Sequence, residues 1–354
     1  MADLFSNFIP NRGQEETKPN NHSKRRVNAP LLVLAGGVLA RVVGRCLRRK
    51  NDIEGDIILI TGASRGIGAR LAEGFAREKC KLCLAARNEV ELQKVAAACR
   101  LAGASAVICV VADVQEVAAL VSLVEECKSK LGAPQVLINN AGVEFINKHH
   151  EVEPEQLSTL SDVNFRAPMI LSRLVLPDML LGKKGVICNI SSFAGFSALP
   201  LWASYGASKW GLNAFTLALR AELRGTGVSC FSVCPGFVTE CGMAYDLLDM
   251  KKPKRGQRMS TTNIAKLVNT VVAHVRMNGP NPLVTPVPLP AVPLAILNLV
   301  FPCTTPVLLE AGNPISAEIR DTVEKRSQGA SLPAEDKLQK VGDWDVVDAG
   351  ESSL

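Results

Sequence analysis

Aromatic residues are scarce in this chain, 5% of 354, with two tyrosines and three tryptophans, and basic and acidic residues nearly balance at a net +6. No basic stretch is interleaved with aromatics and no finger spacing recurs. The charge therefore reads as a soluble or membrane-surface protein and excludes a nucleic-acid binder. Histidine is rarer still, four in all. Cys80 and Cys83 make a C-x-x-C pair, but no second Cys/His pair follows at ligand spacing, so no metal site and no disulfide framework is expected. Cys188, Cys230 and Cys234 fall in predicted strands as small hydrophobes. With the odd total of eleven cysteines, this points to a reducing compartment, in the cytoplasm or on the cytoplasmic face of a membrane. The apolar run at 29–40 has twelve residues, too few to span a bilayer as a helix, and prolines interrupt the uncharged stretch that follows Met277.

Against that background two patterns stand out. Residues 56–60 form a short apolar, β-branched run of the kind buried in a parallel sheet, and it leads directly into TGASRGIG at 61–68. Gly62 allows a sharp turn, Gly66 lets backbone approach a pyrophosphate, and Gly68 lets the following helix pack closely. That helix, expected from about Ile67 to Glu78, aims its N-terminal amides and dipole at an anion. The next strand, 81–87, ends in Ala86 and Arg87, where an acidic side chain would hold a free ribose 2′-hydroxyl. With no carboxylate there, Arg65 and Arg87 form a fork for a 2′-phosphate, which favours NADP(H) over NAD(H). About 140 residues beyond the turn, Tyr205 and Lys209 stand four apart in Tyr-Gly-Ala-Ser-Lys. On a helix both project from one face, and the ammonium is expected to draw the phenol toward the working pH as a proton donor.

Further elements follow in order: Asp113 after a third strand, NNAG at 139–142 after a fourth, Asn164 in a helix, Ser191 and Ser192 after a fifth strand at 185–190, and Pro235–Gly236 after a sixth at 229–234. In this order and spacing the chain resembles the short-chain dehydrogenase/reductase family over about residues 54–285. The resemblance implies a doubly wound (Rossmann) α/β fold with a parallel seven-stranded sheet. It also implies a catalytic set of Asn164, Ser192, Tyr205 and Lys209. Cofactor contacts would come from Gly62, Ser64, Arg65, Gly66, Ile67, Gly68, Arg87, Asp113, Asn140, Ala141, Gly142, Tyr205, Lys209, Pro235, Gly236 and Val238. Ser192 would hydrogen-bond the substrate carbonyl, with Ser191 the second choice. Asn164 would fix a helix carbonyl and a proton-relaying water, and Lys209 would also bind the nicotinamide ribose. One departure is Glu240, which stands where the family often places a Thr, with Thr239 one residue earlier.

These groups imply reduction of a carbonyl, with Tyr205 donating a proton while Ser192 steadies the same oxygen, or the reverse oxidation. Two other readings stand beside it: a soluble reductase of polar or carrier-bound 3-oxoacyl substrates, and a non-catalytic NADP-binding sensor or scaffold. A single domain at 51–285 leaves extensions at both ends. Residues 1–28 read as a disordered polar leader. Residues 29–50 carry Arg41 and Arg45 on one face and Val42, Val43 and Leu47 largely on the other, as a helix lying in a membrane interface or packed on protein. Residues 286–312 form an apolar, proline-rich flap or lipid-touching surface, and 313–354 a polar tail. The loop at 236–262 combines Phe237, Met243 and Tyr245 with Lys251, Lys252 and Arg255, suiting a greasy pocket with a basic rim. Together these features favour a lipophilic substrate such as a steroid, a retinoid or a long-chain ketoacyl lipid, and peripheral membrane contact. A homodimer is the family expectation. Leu212, Phe215, Leu219 and Leu223 lie at helical spacing either for that contact or for the sheet.

Overall fold

The computed structural model describes residues 51–197, 200–238, 241, 261–278 and 283–284. The leader, the 29–50 segment, most of the 236–262 loop with Thr239 and Glu240, and the C-terminal flap and tail lie outside the described residues.

Strands β1 (Ile57–Thr61), β2 (Lys81–Ala86), β3 (Ala106–Val111), β4 (Val136–Asn139), β5 (Gly185–Ile190) and β6 (Val228–Val233) lie in the order β3-β2-β1-β4-β5-β6, all parallel. Two further pairs are short. β7 (Phe237–Val238) pairs with β8 (Thr261–Thr262), and β9 (Leu283–Val284) extends the main sheet beside β6 through two residues. The expected doubly wound α/β architecture is thus present, with a seventh strand described over two residues.

Helices α1 (Gly66–Arg77), α2 (Glu89–Leu101), α3 (Val117–Lys130), α4 (Pro154–Ser161), α5 (Ala167–Leu181), α6 (Ala203–Glu222) and α7 (Ile264–Arg276) cover both faces. Their ends follow from local chemistry. Asn88 accepts the Glu91 N–H at 2.9 Å, Asn263 accepts the Lys266 N–H at 3.0 Å, and α4 opens on Pro154 within a Glu153–Gln156 capping box. Strand residues alternate between two cores. Ile58, Ile60, Leu84, Cys188 and Phe231 pack with α1 and α7, while Leu59, Cys83, Leu137 and Cys230 pack with α3, α5 and α6. Each fully buried side chain of this kind, such as Phe75 or Phe231, contributes about 1.5–3 kcal/mol.

Two features of the helices go beyond the sequence reading. Asn164, expected in a helix, sits in a π-helical stretch, Asp162–Arg166, between α4 and α5. Leu212, Leu219 and Leu223 turn inward and are buried, with Phe215 partly covered. The exposed large apolar residues of α6 are instead Trp210 and Leu217. A polar ladder also crosses the sheet interior. Asn139 Nδ2 donates to Asn189 Oδ1, Asn189 Nδ2 to Thr216 Oγ1, and Ser232 Oγ to Thr216 Oγ1, each at 2.8 Å. It ties β4, β5 and β6 to α6, the helix that carries Tyr205 and Lys209.

Candidate active site

The glycine-rich turn leaves the end of β1 as a close-packed cradle. Gly62 adopts φ +62°, and a Cβ on Gly68 would fall 2.2 Å from the Gly62 carbonyl oxygen and 2.5 Å from Asn140 Nδ2. Gly68 therefore permits contact with the turn and with Asn140, a tighter constraint than helix-on-strand packing alone. Asn140 Nδ2 donates to the carbonyls of Thr61 and Gly62 at 3.0 and 3.1 Å, and Thr61 Oγ1 accepts the N–H groups of Asn140 and Ala141, both at 3.1 Å. Thr61, present in the motif yet unassigned from sequence, thus locks the two loops together. Arg65 precedes α1 in extended backbone, with Ser64 and Ile67 on either side of the turn. At the neighbouring strand ends Arg87 Nη1 lies 3.7 Å from Asp113 Oδ2, and Asp113 Oδ1 accepts the Gln115 N–H. No carboxylate caps β2 itself. The cradle, the open helix N-terminus and this arginine-bearing rim fit a dinucleotide phosphate.

The catalytic candidates converge at the adjacent strand ends. Tyr205 and Lys209 are one turn apart on α6 and 6% and 3% exposed, with Lys209 Nζ 5.8 Å from the phenol ring centre. Lys209 Nζ donates to the Ile190 carbonyl at 3.0 Å. Ser192 stands beside Tyr205 and favours its ionised form, and Ser192 Oγ accepts the Ala194 N–H at 3.2 Å. Ser191 points the other way, its Oγ donating to the Lys209 carbonyl. Gly142 is pressed against this group, for a Cβ there would stand 3.3 Å from Asn164 Oδ1 and 3.5 Å from Lys209 Nζ. On the far side, Phe193 N–H donates to the Pro235 carbonyl at 2.8 Å, Gly236 N–H donates to Thr262 Oγ1 at 3.0 Å, and Val238 is buried.

Asn164 holds a different carbonyl from the one expected. Its Oδ1 accepts the Val143 N–H and its Nδ2 donates to the Val143 carbonyl, each at 2.9 Å, so it clamps the loop after β4 rather than a helix. The same Nδ2 reaches Ser208 Oγ at 3.1 Å. The π-helical stretch turns this side chain inward, a known use of such bulges at functional sites.

The electrostatics also differ from the sequence expectation. Burial pushes the Tyr205 phenol above its ordinary value, the Glu144 carboxylate adds to the rise, and neighbouring Ser192 lowers it only in part. Burial brings Lys209 down to about 8, against smaller upward effects of Cys234 and Glu144. The spacing showed the pair, while the cost of burying both charges was invisible in it. Burial raises the Glu144 carboxyl too, partly offset by Trp202 and Lys209. Neither Glu144 nor Trp202 was singled out from sequence. The available signal was one acid in the apolar run Val143, Glu144, Phe145, Ile146.

The residue pattern of the short chain dehydrogenase family matches residues 56–252. Ketoacyl reductase HetN of Nostoc sp. is 37% identical over 194 residues, 55% of this chain and 67% of that protein. Estradiol 17-beta-dehydrogenase 11 of Macaca fascicularis is 33% identical over 194 residues, 54% of this chain and 64% of that one. The chain thus spans about two thirds of the length of each. A metagenomic short-chain oxidoreductase solved with NADP superimposes with TM-score 0.57 at 29% identity, covering 67% of this chain and all of that one. An actinorhodin polyketide ketoreductase variant solved with NADPH gives 0.60 at 27%, covering 65% and 95%. The chain belongs to the short-chain dehydrogenase family of oxidoreductases.

Proposed function

We propose that the protein is an NADP(H)-dependent reductase of a lipophilic ketone, using Asn164, Ser192, Tyr205 and Lys209. The observation that carries this reading is the burial of Tyr205 and Lys209 one turn apart, Lys209 Nζ 5.8 Å from the phenol ring centre and against Gly142, with Ser192 at the adjoining end of β5. The glycine cradle would hold the pyrophosphate, Arg65 and Arg87 the 2′-phosphate, Asp113 the adenine end, and Ala141, Gly142, Pro235, Gly236 and Val238 the nicotinamide side. When bound, the cofactor supplies hydride to the carbonyl carbon. The chain does the rest. Ser192 donates a hydrogen bond to the carbonyl oxygen, and Tyr205, kept as a neutral phenol by burial, gives that oxygen its proton. Lys209 sits behind the phenol and favours the phenolate as it forms. Asn164 fixes the loop that walls the site.

The lipophilic substrate class is supported by the apolar cluster around Tyr205, which includes Val143, Leu160, Val163, Trp202 and Phe237. The test is Tyr205→Phe, which should lower NADPH-dependent ketone reduction by about 100-fold or more while NADPH binding persists. Undiminished turnover would refute the assignment.

Among the described residues no helix is long and apolar enough to cross a membrane. Peripheral membrane contact through 29–50 is part of the proposal, supported by that segment's basic amphipathic pattern. Complete recovery of activity in a salt-washed supernatant would remove it. A homodimer is supported by the exposed Leu157, Trp210 and Leu217 on α4 and α6. A monomeric sedimentation coefficient would exclude it.

A further inference from the structure

Two residues beyond Gly142 the chain places a carboxylate where apolar side chains dominate. Glu144 is half-buried, and its sequence neighbours Val143, Phe145 and Ile146 belong to the apolar cluster around Tyr205. Its Oε1 accepts a hydrogen bond from the Trp202 indole N–H. Among the described residues Oε2 has no hydrogen-bond partner and neither oxygen has an ion pair. An ionised carboxylate offers about four acceptor positions, and here one is filled. Glu144 is only half-buried, so these remaining positions stay open to a ligand.

The arrangement is held from both sides. Gly142 abuts Lys209 Nζ and Asn164, so the loop bearing Glu144 starts at the catalytic group. Trp202 stands three residues before Tyr205, stacks edge-on against Phe237 at 6.2 Å, and follows Leu201, whose φ of +72° is strained for a leucine. The Leu201 carbonyl accepts the Asn147 N–H at 3.3 Å, which pins this turn to the Glu144 loop. Local strain clustered beside a reactive group commonly marks a binding role.

We propose that Glu144, steadied by Trp202, is a specificity-determining residue whose free oxygen accepts a hydrogen bond from a hydroxyl or ammonium on the substrate, remote from the carbonyl being reduced. The preferred substrate is then a lipophilic ketone carrying a hydrogen-bond donor, and a substrate with a carboxylate at that place is rejected by like charge. This rests on the reductase reading above and narrows its substrate class.

The test uses methyl ketones from hexanone to dodecanone, with counterparts bearing a terminal hydroxyl or a terminal carboxylate, assayed with the full-length enzyme and NADPH. For at least one chain length the hydroxyketone should exceed the plain ketone in kcat/KM by about tenfold or more, the scale of one hydrogen bond to a charged group. The keto acid should fall below both. Glu144→Met should bring the hydroxyl-to-plain ratio to about one. Glu144→Gln, which keeps an acceptor for Trp202, should retain part of the ratio and relieve the exclusion of the keto acid. Thermal melts confirm that each variant folds. A wild-type ratio near one at every length, or a ratio that survives in Glu144→Met, overturns the inference while leaving the reductase reading intact. Failure to reduce any ketone of the three series overturns both.

Discussion

Replacing Asn164 by Leu removes three hydrogen bonds with little change in side-chain volume. Asn164 is fully buried, and its amide serves both polar groups of the Val143 backbone, itself 7% exposed. Leucine leaves that N–H and that C=O without partners, each at a cost of about 1–3 kcal/mol. Ser208 Oγ still has the Tyr205 carbonyl at 2.7 Å, so its loss adds little. The sum is about 4 kcal/mol, which for a domain of this size lowers Tm by roughly 8–16 °C. The loop from Asn140 to Glu144 should relax as well, drawing Gly142 from Lys209 and Glu144 from Trp202, so kcat should fall with Tm. Scanning calorimetry and single-turnover reduction read the two effects. Asn164→Asp is the companion variant, since it keeps the acceptor for the Val143 N–H but sets a carboxylate oxygen against the Val143 carbonyl. If Asn164→Leu melts within about 2 °C of the wild type, the clamp described here is not what holds the loop.

Changing Arg65 to Ser and Arg87 to Asp together should cut the NADPH-to-NADH ratio of kcat/KM by about 100-fold or more, since each charge-assisted bond to phosphate is worth about 1.5–3 kcal/mol. An unchanged ratio would refute the arginine fork. Lys209 offers a pH test. It titrates near 8 in the fold against an ordinary 10.5. Below pH 8 both folded and unfolded chains hold the proton, and the cost of burying the ammonium, about 3 kcal/mol, is fully present. Between pH 8 and 10.5 the unfolded chain keeps a proton that the fold has released, so the stability tied to this group rises with pH. Lys209→Met should therefore be more stable than the wild type at pH 7, by an amount that shrinks as pH climbs through that window. Denaturant midpoints giving a difference independent of pH would contradict it.

Much of this fold is legible in the strand runs, because a parallel sheet buried on both faces needs uninterrupted β-branched and aliphatic segments. β5 falls at 185–190 as expected, while β1 and β6 are shifted by one residue. The glycine turn is equally readable, since Gly62 and Gly68 answer to backbone contacts that almost any side chain would break. Helix faces were harder to assign. Leu212, Leu219 and Leu223 repeat at helical spacing whether they meet a sheet or another subunit, and only the packing shows them in the core. Periodicity also passes over the π-helical stretch, because a single phase slip within so short a segment does not stand out from the ordinary scatter of an apolar stripe. The partner of Asn164 and the pairing of Glu144 with Trp202, 58 positions apart, depend on where loops return in space. The direction of the Tyr205 shift was missed for the same reason, since desolvation is a property of the surroundings and not of a four-residue spacing.

The bulge at 162–166 also constrains how this enzyme can be altered. In a regular α-helix each residue turns the chain by about 100°. Deleting one residue between Asp162 and Arg166 would restore even coiling and rotate everything on one side of the excision by that angle, so the amide of Asn164 could no longer meet Val143. Single-codon deletions that a solvent-facing helix absorbs should therefore be lethal to activity here, while substitutions at exposed Glu155 and Ser158 remain permissible.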